Sequence, residues 1–419
     1  MIETKFKDTE LGKIPEDWAF GKFVDFLEKF SSGATPYRGI PSNFVGHIPW
    51  ISSGELNYNR IKDTREHISL EAQKNTHLTL HPKGTFLIAI TGLEAAGTRG
   101  RCAFVETPAT TNQSCLAISS TDKMTVEYLF WYYRYWSDYL AFNFSQGSKQ
   151  QSFTAEIAKR LPIYAPPFAE QENIAETLTD VDALIAELDE LIEKKRSIMN
   201  GTMQDLLTAK RRLPGFSKPW IKRKFGDIGF TFNGLSGKTA ADFGHGESKY
   251  VTFINVIYNA IINPEIFDCV EVTSTENQNA VLAEDLLMNT SSETPEEVGM
   301  CSFVGISMPR LYLNSFCFGF RISSSDVAPL FLSYLLRSNS GRSLMMELAQ
   351  GSTRYNLPKK KFLQSCISMP CNKPEQQAIA EILSDMDAEI VELEAKRDKY
   401  KAIRQGMMQQ LLTGKIRLI

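Results

Sequence analysis

Two stretches of this sequence are near copies of each other. The first, EQENIAETLTDVDALIAELDELIEKKRSIMNGTMQDLLTAKRRL, spans residues 170–213, and the second, EQQAIAEILSDMDAEIVELEAKRDKYKAIRQGMMQQLLTGKIRL, spans residues 375–418. They align without a gap at an offset of 205 residues, and about half of their positions are identical. Helical segments of similar composition agree far less often by chance, so the chain contains an internal duplication.

The duplication extends beyond these stretches. PEDWAFGKFVDF at 15–26 corresponds to KPWIKRKFGDI at 218–228, and QGSKQQ at 146–151 corresponds to QGSTRY at 350–355. The chain therefore consists of a module, a helix, a second module and a second helix.

The middles of the two modules are not similar in sequence: residues 37–110 and 240–310 share few identities. Two modules of one shape that recognise two different things produce this pattern. Drift of unconstrained surface after an old duplication is the alternative.

Both long stretches carry apolar residues at alternating steps of four and three, which is the seam of a coiled coil. We expect the following seam residues to pair the helices or to dock partners: Ile174, Leu178, Val181, Ile185, Leu188, Ile379, Leu383, Met386, Ile390 and Leu393. Each helix should run for about 37 residues, or about 55 Å. Since a lone helix of that length is marginal in water, we expect antiparallel pairing, with the modules at opposite ends around an approximate two-fold axis.

Composition limits the class of protein. A length of 419 residues with 43% apolar residues suggests two or three soluble globular domains. No apolar run is long enough for a transmembrane helix, and the first residues lack the apolar core of a signal peptide. Seven scattered cysteines without a CxxC pair favour reduced thiols in the cytoplasm. A net charge of −3 means that any surface for nucleic acid has to be local.

Each module is expected to be a mixed α+β structure. Residues 81–92, 100–106 and 114–120 are typical of short strands bounded by turns. Residues 126–146 and 328–350 carry apolar and aromatic side chains at helical spacing. We expect these aromatic side chains in the core, and a base-stacking surface is the less favoured interpretation.

Polar, basic and glycine-rich loops lie between these elements. Arginine suits guanine, asparagine or glutamine suits adenine, and lysine, serine or threonine suits phosphate. The residues that we expect to contact DNA are Ser32, Thr35, Arg38, Arg60, Lys62, Arg65, Arg99, Arg101, Asn112, Gln113, Lys149, Gln150, Lys238, Thr239, Asn255, Tyr258, Asn259, Arg354, Tyr355, Asn356 and Lys359. For any one of them, a solvated loop side chain is the simpler alternative.

Several catalytic or metal-binding motifs fail. GLSGKT at 234–239 is not a phosphate-binding loop, because Phe232 stands where that motif needs glycine. APPF at 165–168 lacks the asparagine or aspartate of the similar motif in amino-methyltransferases. His77 and His81 have no third ligand nearby in sequence. We therefore expect no catalytic, cofactor or metal site in this chain.

Each half of the chain carries a series of short motifs, and their order matches between the halves. They are LGKIPEDW at 11–18, GHIPWISSGELN at 46–57, LHPKGTFLIAITG at 80–92, QGSKQQSF at 146–153, FNGLSGKTAADFG at 232–244, YVTFINV at 250–256 and EQQAIAEIL at 375–383. Together with the two matched helices, they resemble the specificity (S, HsdS-like) subunit of type I restriction–modification systems over nearly the whole chain. The second copy departs at LLMNTSSETPEEVG (286–299), which lacks the Pro-Lys-Gly-Thr turn of the first. The equivalence of loops there stays open.

The resemblance implies two target-recognition domains, at 1–165 and 212–370, each followed by a spacer helix, at 166–211 and 371–419. Each domain would read one half of a bipartite site in double-stranded DNA. The helix pair would set the spacing and dock two methyltransferase subunits, joined by restriction subunits with motor and nuclease activity. S-adenosylmethionine, Mg²⁺ and ATP would belong to those partners, and no membrane would be involved.

Two alternatives remain at this stage. A non-catalytic protein-interaction scaffold would use the helices as a hub without reading bases. A self-contained DNA methyltransferase is disfavoured by the failed motif at 165–168.

Overall fold

The structure, a computed structural model, describes residues 5–95, 97–147 and 149–419. The chain divides into two compact units: unit 1 is Met1–Asp189 with Lys396–Ile419, and unit 2 is Glu190–Ala395. This partition differs from the four parts expected from the sequence, because each unit takes a segment of both long helices.

Unit 1 begins with short strands that alternate with helices. In chain order these elements are β1 (Phe6–Thr9), β2 (Gly12–Pro15), β3 (Ala19–Lys22), α1 (Phe23–Phe26), β4 (Leu27–Ser32), β5 (Ile48–Ile51), β6 (Asn59–Ile61), β7 (Glu66–Ile68), α2 (Leu70–Asn75), β8 (Phe86–Ala89), β9 (Cys102–Val105), β10 (Thr110–Thr111), β11 (Cys115–Ser120), α3 (Val126–Phe144), α4 (Ala155–Lys159) and β12 (Pro162–Ala165). The first long helix, α5 (Phe168–Leu206), follows.

Unit 2 is also built from short strands and helices, although their order along the chain differs in places. Its elements are β13 (Trp220–Lys224), α6 (Phe225–Ile228), β14 (Gly229–Asn233), β15 (Phe243–Val251), α7 (Phe253–Tyr258), β16 (Asp268–Val270), β17 (Leu286–Asn289), β18 (Ser291–Ser292), β19 (Cys301–Phe303), β20 (Leu311–Leu313), β21 (Cys317–Ile322), α8 (Pro329–Arg337), α9 (Asn339–Leu348), β22 (Tyr355–Asn356), α10 (Lys359–Gln364) and β23 (Cys366–Pro370). The second long helix is α11 (Lys373–Leu411). The predicted α+β class is confirmed.

The largest sheet of each unit has the same core. In unit 1 its strand order is β4-β11-β8-β9-β6, and in unit 2 the corresponding order is β14-β21-β17-β19. Helix α3 buries Tyr128, Trp131 and Tyr132 in the core of unit 1, so its aromatic stripe is packed inside as expected. The parallel pair β6–β9 of unit 1 is reduced in unit 2 to a single parallel bridge between Ile261 and Phe303.

The middles of the two modules share a backbone plan despite their different sequences. A smaller sheet contains the parallel pair β5–β10 in unit 1 and the parallel pair β15–β20 in unit 2. In each unit the central strand of this sheet also has an antiparallel neighbour, β7 or β16. The diverged sequences are therefore built on one scaffold.

The turn before β8 has an equivalent that the sequence alignment did not reveal. The amide of Gly84 donates to the carbonyl of Val105 (2.8 Å), and the amide of Glu284 donates to that of Val304 at the same distance. Both residues have a positive φ, 85° for Gly84 and 70° for Glu284. The Pro-Lys-Gly-Thr turn of the first copy thus corresponds to Leu282–Asp285 in the second, although the residues differ.

The predicted second aromatic helix is wrong as a single element. Residues 328–350 form two helices, α8 and α9, because Ser338 between them is extended, with a ψ of 166°. The hydroxyl of Ser338 accepts the amide of Gly341 (3.4 Å) and so starts a new helix there. The matching segment of the first copy stays continuous as α3.

The long helices run antiparallel within each unit. In unit 1, Asp182 pairs with Arg404, and Asp189 pairs with Arg397 at 3.3 Å. In unit 2, Lys195 pairs with Glu389 at 2.6 Å. As residue numbers rise on one helix in unit 1, those of its partners fall on the other.

The Glu-Gln pair that opens each repeat fastens the start of a long helix to its module. In unit 1, Glu170 is 2% exposed and accepts the indole N–H of Trp18 (3.1 Å) and two N–H groups of Arg417 (both 2.7 Å). The side-chain oxygen of Gln171 accepts the amide of Thr125 (2.9 Å). Because Arg417 follows α11, unit 1 is completed by residues from the far end of the chain.

Unit 2 repeats this arrangement with its own residues. Arg212 donates to both carboxylate oxygens of the buried Glu375, at 2.7 and 2.8 Å. Gln376 accepts the amide of Ala328 (2.8 Å). The Glu-Gln pair that both copies share therefore forms a buried contact between the long helix and its module, in which the glutamate pairs with an arginine.

Candidate nucleic-acid interface

Most of the unit 1 residues that were expected to contact DNA lie at one edge of its large sheet. The register places the end of β4 beside the start of β11, and the end of β8 beside the starts of β11 and β9. The parallel strand β6 also begins there, with Asn59 opposite Ala103. Loops that contain Ser32, Asn112, Gln113, Arg99 and Arg101 therefore meet at this edge, which we call the unit 1 edge.

Side-chain hydrogen bonds order two of these loops. The hydroxyl of Thr35 donates to the side-chain oxygen of Gln113 (2.6 Å). The side-chain oxygen of Asn112 accepts the amide of Ser114 (3.0 Å), which forms a tight turn before β11. Gln113 is exposed at the tip of this turn. The bond from Thr35 holds the side-chain oxygen of Gln113, and the side-chain NH2 of Gln113 can face a base.

An open polar groove of about 520 Å³ lies beside this edge. Arg65 and Arg101 line it together with Asn57 and Asn59. The guanidinium of Arg101 donates to the carbonyl of Gly97, which fixes its direction. Arginine and asparagine side chains of this kind can form bidentate contacts with guanine and adenine edges.

The loop that carries Lys149 and Gln150 packs against the same region. Ser152 forms β-bridges with Thr91 and Gln146, so the loop is folded back onto the segment after β8. Lys149 and Gln150 themselves are exposed. They lie on the side of the module where the other expected contacts are.

Other expected contacts in unit 1 are already paired with acidic side chains. Arg38 forms two hydrogen bonds with Glu66, at 2.9 and 2.8 Å, and this partner raises the pKa of Arg38. Arg60 lies near Glu106 and Glu127, both at 3.7 Å. Such exposed pairs are weak, so DNA phosphates can compete for these arginines.

Arg99 and Lys62 complete the set in unit 1. Arg99 pairs with Asp138 (3.0 Å), and its guanidinium lies over the ring of Phe142 (4.3 Å). Lys62 is exposed just after β6, at the opposite end of that strand from Asn59. The structure therefore places Lys62 away from the unit 1 edge.

The equivalent edge of unit 2 gathers Arg354, Tyr355, Asn356 and Lys359. Strand β22 pairs with β18, which follows the end of β17, and β17 in turn pairs with the start of β21. The Nε of Arg354 donates to the hydroxyl of Ser291 (3.3 Å). Lys359 binds the side chain of Asn233 at the end of β14, and burial lowers the pKa of Lys359. We call this the unit 2 edge.

Asn314 belongs to this edge and was missed from the sequence. Its side-chain oxygen accepts the amide of Phe316 (2.8 Å), which repeats the turn made by Asn112 in unit 1. The amide of Asn314 donates to Val251, as the amide of Asn112 donates to Ile51. The Asn-x-x-Cys spacing shared by Asn112–Cys115 and Asn314–Cys317 is the signal that could have revealed it.

Two expected contacts in unit 2 are corrected by their burial. Asn255 is fully buried: its side-chain NH2 donates to the carbonyl of Asn263 (2.7 Å), and its side-chain oxygen accepts the NH2 of Asn259 (2.9 Å). It supports this loop from inside and does not face DNA. The Lys238 side chain is 5% exposed and donates to Glu276 (2.7 Å), so its charge is used inside the unit.

The structure does not bring the other three residues to the unit 2 edge. Thr239 caps a short 3₁₀ turn through Asp242, at 2.9 Å between their side chains. Tyr258 and Asn259 line an open groove of about 470 Å³ whose other side contains Arg196 and Ser384 of the long helices. Tyr258 is exposed, so a contact with DNA there would be separate from the edge.

The seam residues of the helices are largely buried. Ile174, Leu178, Ile185, Leu188, Ile379, Leu383 and Ile390 are buried, whereas Val181, Met386 and Leu393 are partly exposed. The first residues of each seam join a module core: Ile174 and Leu178 in unit 1, and Ile379 and Leu383 in unit 2. Part of the seam thus serves folding.

The described residues contain neither a cluster of metal ligands nor a membrane-spanning helix. No group of three or more His, Cys, Asp or Glu side chains there could hold a metal ion. Of the helices in those residues, none is long and apolar enough to cross a membrane.

Comparison with known proteins identifies the family. Residues 15–195 and 217–400 match the family described as type I restriction modification DNA specificity domain. The chain belongs to this family. The two matched ranges correspond to the two copies of the internal repeat.

Curated relatives from Methanocaldococcus jannaschii fit this membership. The chain is 35% identical over 200 residues to the type I restriction enzyme MjaIX specificity subunit, covering 46% of the chain and 45% of that protein. It is 24% identical to the putative MjaX specificity subunit and 22% identical to the MjaVIII specificity subunit. Those two alignments cover 99% of the chain and 97% of each relative.

Two solved structures share the fold of this specificity-domain protein. The S subunit of the type I restriction–modification system from M. genitalium matches with a TM-score of 0.61 and 13% identity, over 97% of this chain and 98% of that one. A chain from a study of complex assembly in a type I system matches with a TM-score of 0.53 and 15% identity, over 96% and 100%.

Proposed function

We propose that this chain is the DNA-recognition subunit of a type I restriction–modification complex, with unit 1 and unit 2 each reading one half of a bipartite site. One observation carries the proposal. The same sheet edge in both units presents loop side chains on a matched backbone, and the side chains differ. A duplicated scaffold with different readers suits two different half-sites.

The roles follow from the side-chain chemistry. In unit 1, Arg65, Arg101 and Gln113 read base edges, and Lys149 contacts phosphate. In unit 2, Arg354 and Asn356 read base edges, and Lys359 contacts phosphate. The side chains of Asn255 and Lys238 are buried, and Lys62, Thr239, Tyr258 and Asn259 lie away from these edges, so none of these six residues is assigned a role there. Because phosphate contacts release counterions, affinity should fall steeply as salt rises.

The long helices would act as a spacer and as a docking surface. Two methyltransferase subunits bind them, and restriction subunits complete the assembly in the cytoplasm. Those partners supply S-adenosylmethionine, Mg²⁺ and ATP and carry out methylation and cleavage. The chain itself contributes recognition and no catalytic group.

Matched arginine variants test whether each unit reads a different half-site. In complexes assembled with the partner subunits, Arg101→Ala should weaken base preference in one half-site and Arg354→Ala in the other. Each should cost roughly tenfold in affinity, which is typical of one bidentate contact with a base. Lys83→Ala is the control, because Lys83 lies before β8 at the opposite end of the sheet and pairs with Glu106 (2.5 Å).

The proposal fails if both arginine variants change the same half-site or bind like the control. A scaffold that does not read bases predicts the second of these results. Melting temperatures of the variants should match that of the original chain, since both arginines lie at the surface.

A further inference from the structure

Phe316 presents an aromatic ring at the unit 2 edge. Its side chain is 55% exposed, although it directly precedes the buried start of β21. The equivalent turn in unit 1 has Ser114 at this position. An exposed ring at the tip of a recognition loop is therefore a feature of the second unit, absent from the matched turn of the first.

Hydrogen bonds order the backbone that carries this ring. The amide of Phe316 donates to the side chain of Asn314 (2.8 Å), and its carbonyl accepts the amide of Thr290 (2.8 Å). The carbonyl of Thr290 in turn accepts the amide of Leu357, next to β22 (2.8 Å). Because the backbone of this turn is already ordered, binding through the ring does not need to order the loop.

One face of the ring is already occupied. The guanidinium carbon of Arg354 lies 5.9 Å from the ring centroid, and the Nε of Arg354 is held by Ser291 (3.3 Å). Insertion between two base pairs needs both faces of a ring, so intercalation does not fit this arrangement. A single free face and edge suit contact with a methyl group in the major groove, where thymine presents one.

We propose that Phe316 contacts the 5-methyl group of a thymine in the half-site read by unit 2, beside the base contacted by Arg354. This assignment rests on the proposed function. It makes Phe316 a specificity-determining residue without any charge. Its contribution should therefore leave the salt dependence of binding unchanged.

Deoxyuridine tests the assignment because it differs from thymidine only by that methyl group. Duplexes of the preferred site would have each thymine of the unit 2 half replaced in turn, with the unit 1 half as the internal reference. For the complex with the original chain, one replacement should weaken binding about fourfold, as expected for one buried methyl group. For Phe316→Ala, binding to the thymine duplex should be weaker by about tenfold, because the whole ring loses its apolar contact, and the same replacement should have no further effect.

Phe230→Ala is the matched control. Phe230 is 50% exposed on the same sheet of unit 2 but pairs with Arg321, toward the other end of β14. This variant should bind both duplexes like the original chain. Thermal unfolding should show that neither substitution changes the fold.

Three results would overturn the inference: a unit 2 half-site without thymine, a Phe316→Ala variant that binds like Phe230→Ala, or equal sensitivity to deoxyuridine with and without the ring. A complex of the original chain with no sequence preference would instead refute the proposed function, so the two failures are distinguishable.

Discussion

The joint between Arg417 and Glu170 gives the sharpest test of how unit 1 is held together. Glu170 is 2% exposed, and Arg417 supplies two of its hydrogen bonds at 2.7 Å. Replacement of Arg417 by alanine leaves a buried carboxylate without its charge partner. Breaking a buried pair in this way costs about 3–5 kcal/mol. Arg417 keeps an 11% exposed side chain, so we expect a value near the lower end.

The effect should be visible in thermal unfolding. For a unit of this size, each 1 kcal/mol lowers the melting temperature by about 2–4 °C, so the Arg417→Ala variant should melt about 6–12 °C lower. Circular dichroism would follow unfolding, and hydrogen exchange would show that unit 1 opens first. Arg212→Ala should produce a smaller loss in unit 2, because the side chain of Arg212, which binds Glu375, is 26% exposed.

A double variant distinguishes charge from packing. Glu170→Gln removes the buried charge and can still accept the indole N–H of Trp18, so Glu170→Gln with Arg417→Ala should be more stable than Arg417→Ala alone. If Arg417→Ala melts within about 1 °C of the original chain, or if the second substitution gives no recovery, the buried charge pair does not hold unit 1 together.

Three further predictions address the spacer, the buried amide and the ion pairs. Removal of one turn, about 5.4 Å, from both long helices should shorten the preferred gap between half-sites by one or two base pairs. Each half-sequence should stay the same. Selection of bound duplexes measures the gap, and an unchanged gap would contradict the spacer role. Asn255→Ala should destabilise unit 2 by roughly 1–3 kcal/mol in urea unfolding, because the backbone groups of Asn263 lose their buried partner. Unchanged stability together with lost DNA binding would instead indicate that Asn255 contacts DNA. Arg223 lowers the pKa of Asp326 to about 2, so this carboxylate stabilises the fold above its unfolded pKa and loses that effect as pH falls toward 2. The melting temperature of Asp326→Asn should accordingly lie below that of the original chain at pH 6 and converge with it near pH 2, and a constant difference would disprove the linkage.

The long helices were predictable because their seam is a local, repeated pattern. Their observed lengths, 39 residues each, are close to the expected 37. The broken helix at Ser338 was not predictable from periodicity alone, because the apolar spacing continues through it. Capping by a serine hydroxyl decides the break, and serine is also common within helices.

The candidate site was predictable at the level of loops rather than residues. Residue type predicted that Lys238 and Asn255 contact DNA. In the structure both side chains are buried, where Lys238 pairs with Glu276 and Asn255 donates to Asn263. The sequence around them does not indicate these partners. Conversely, Asn314 and Phe316 were not among the residues expected to contact DNA. Only strand register shows which loops share an edge.

Selection of bound duplexes from a random pool by the assembled complex would show whether the two units read two different half-sites. We expect two short conserved sequences separated by a gap of fixed length and unspecified bases, with different sequences on the two sides. A single uninterrupted sequence, two identical halves, or no enrichment would contradict it.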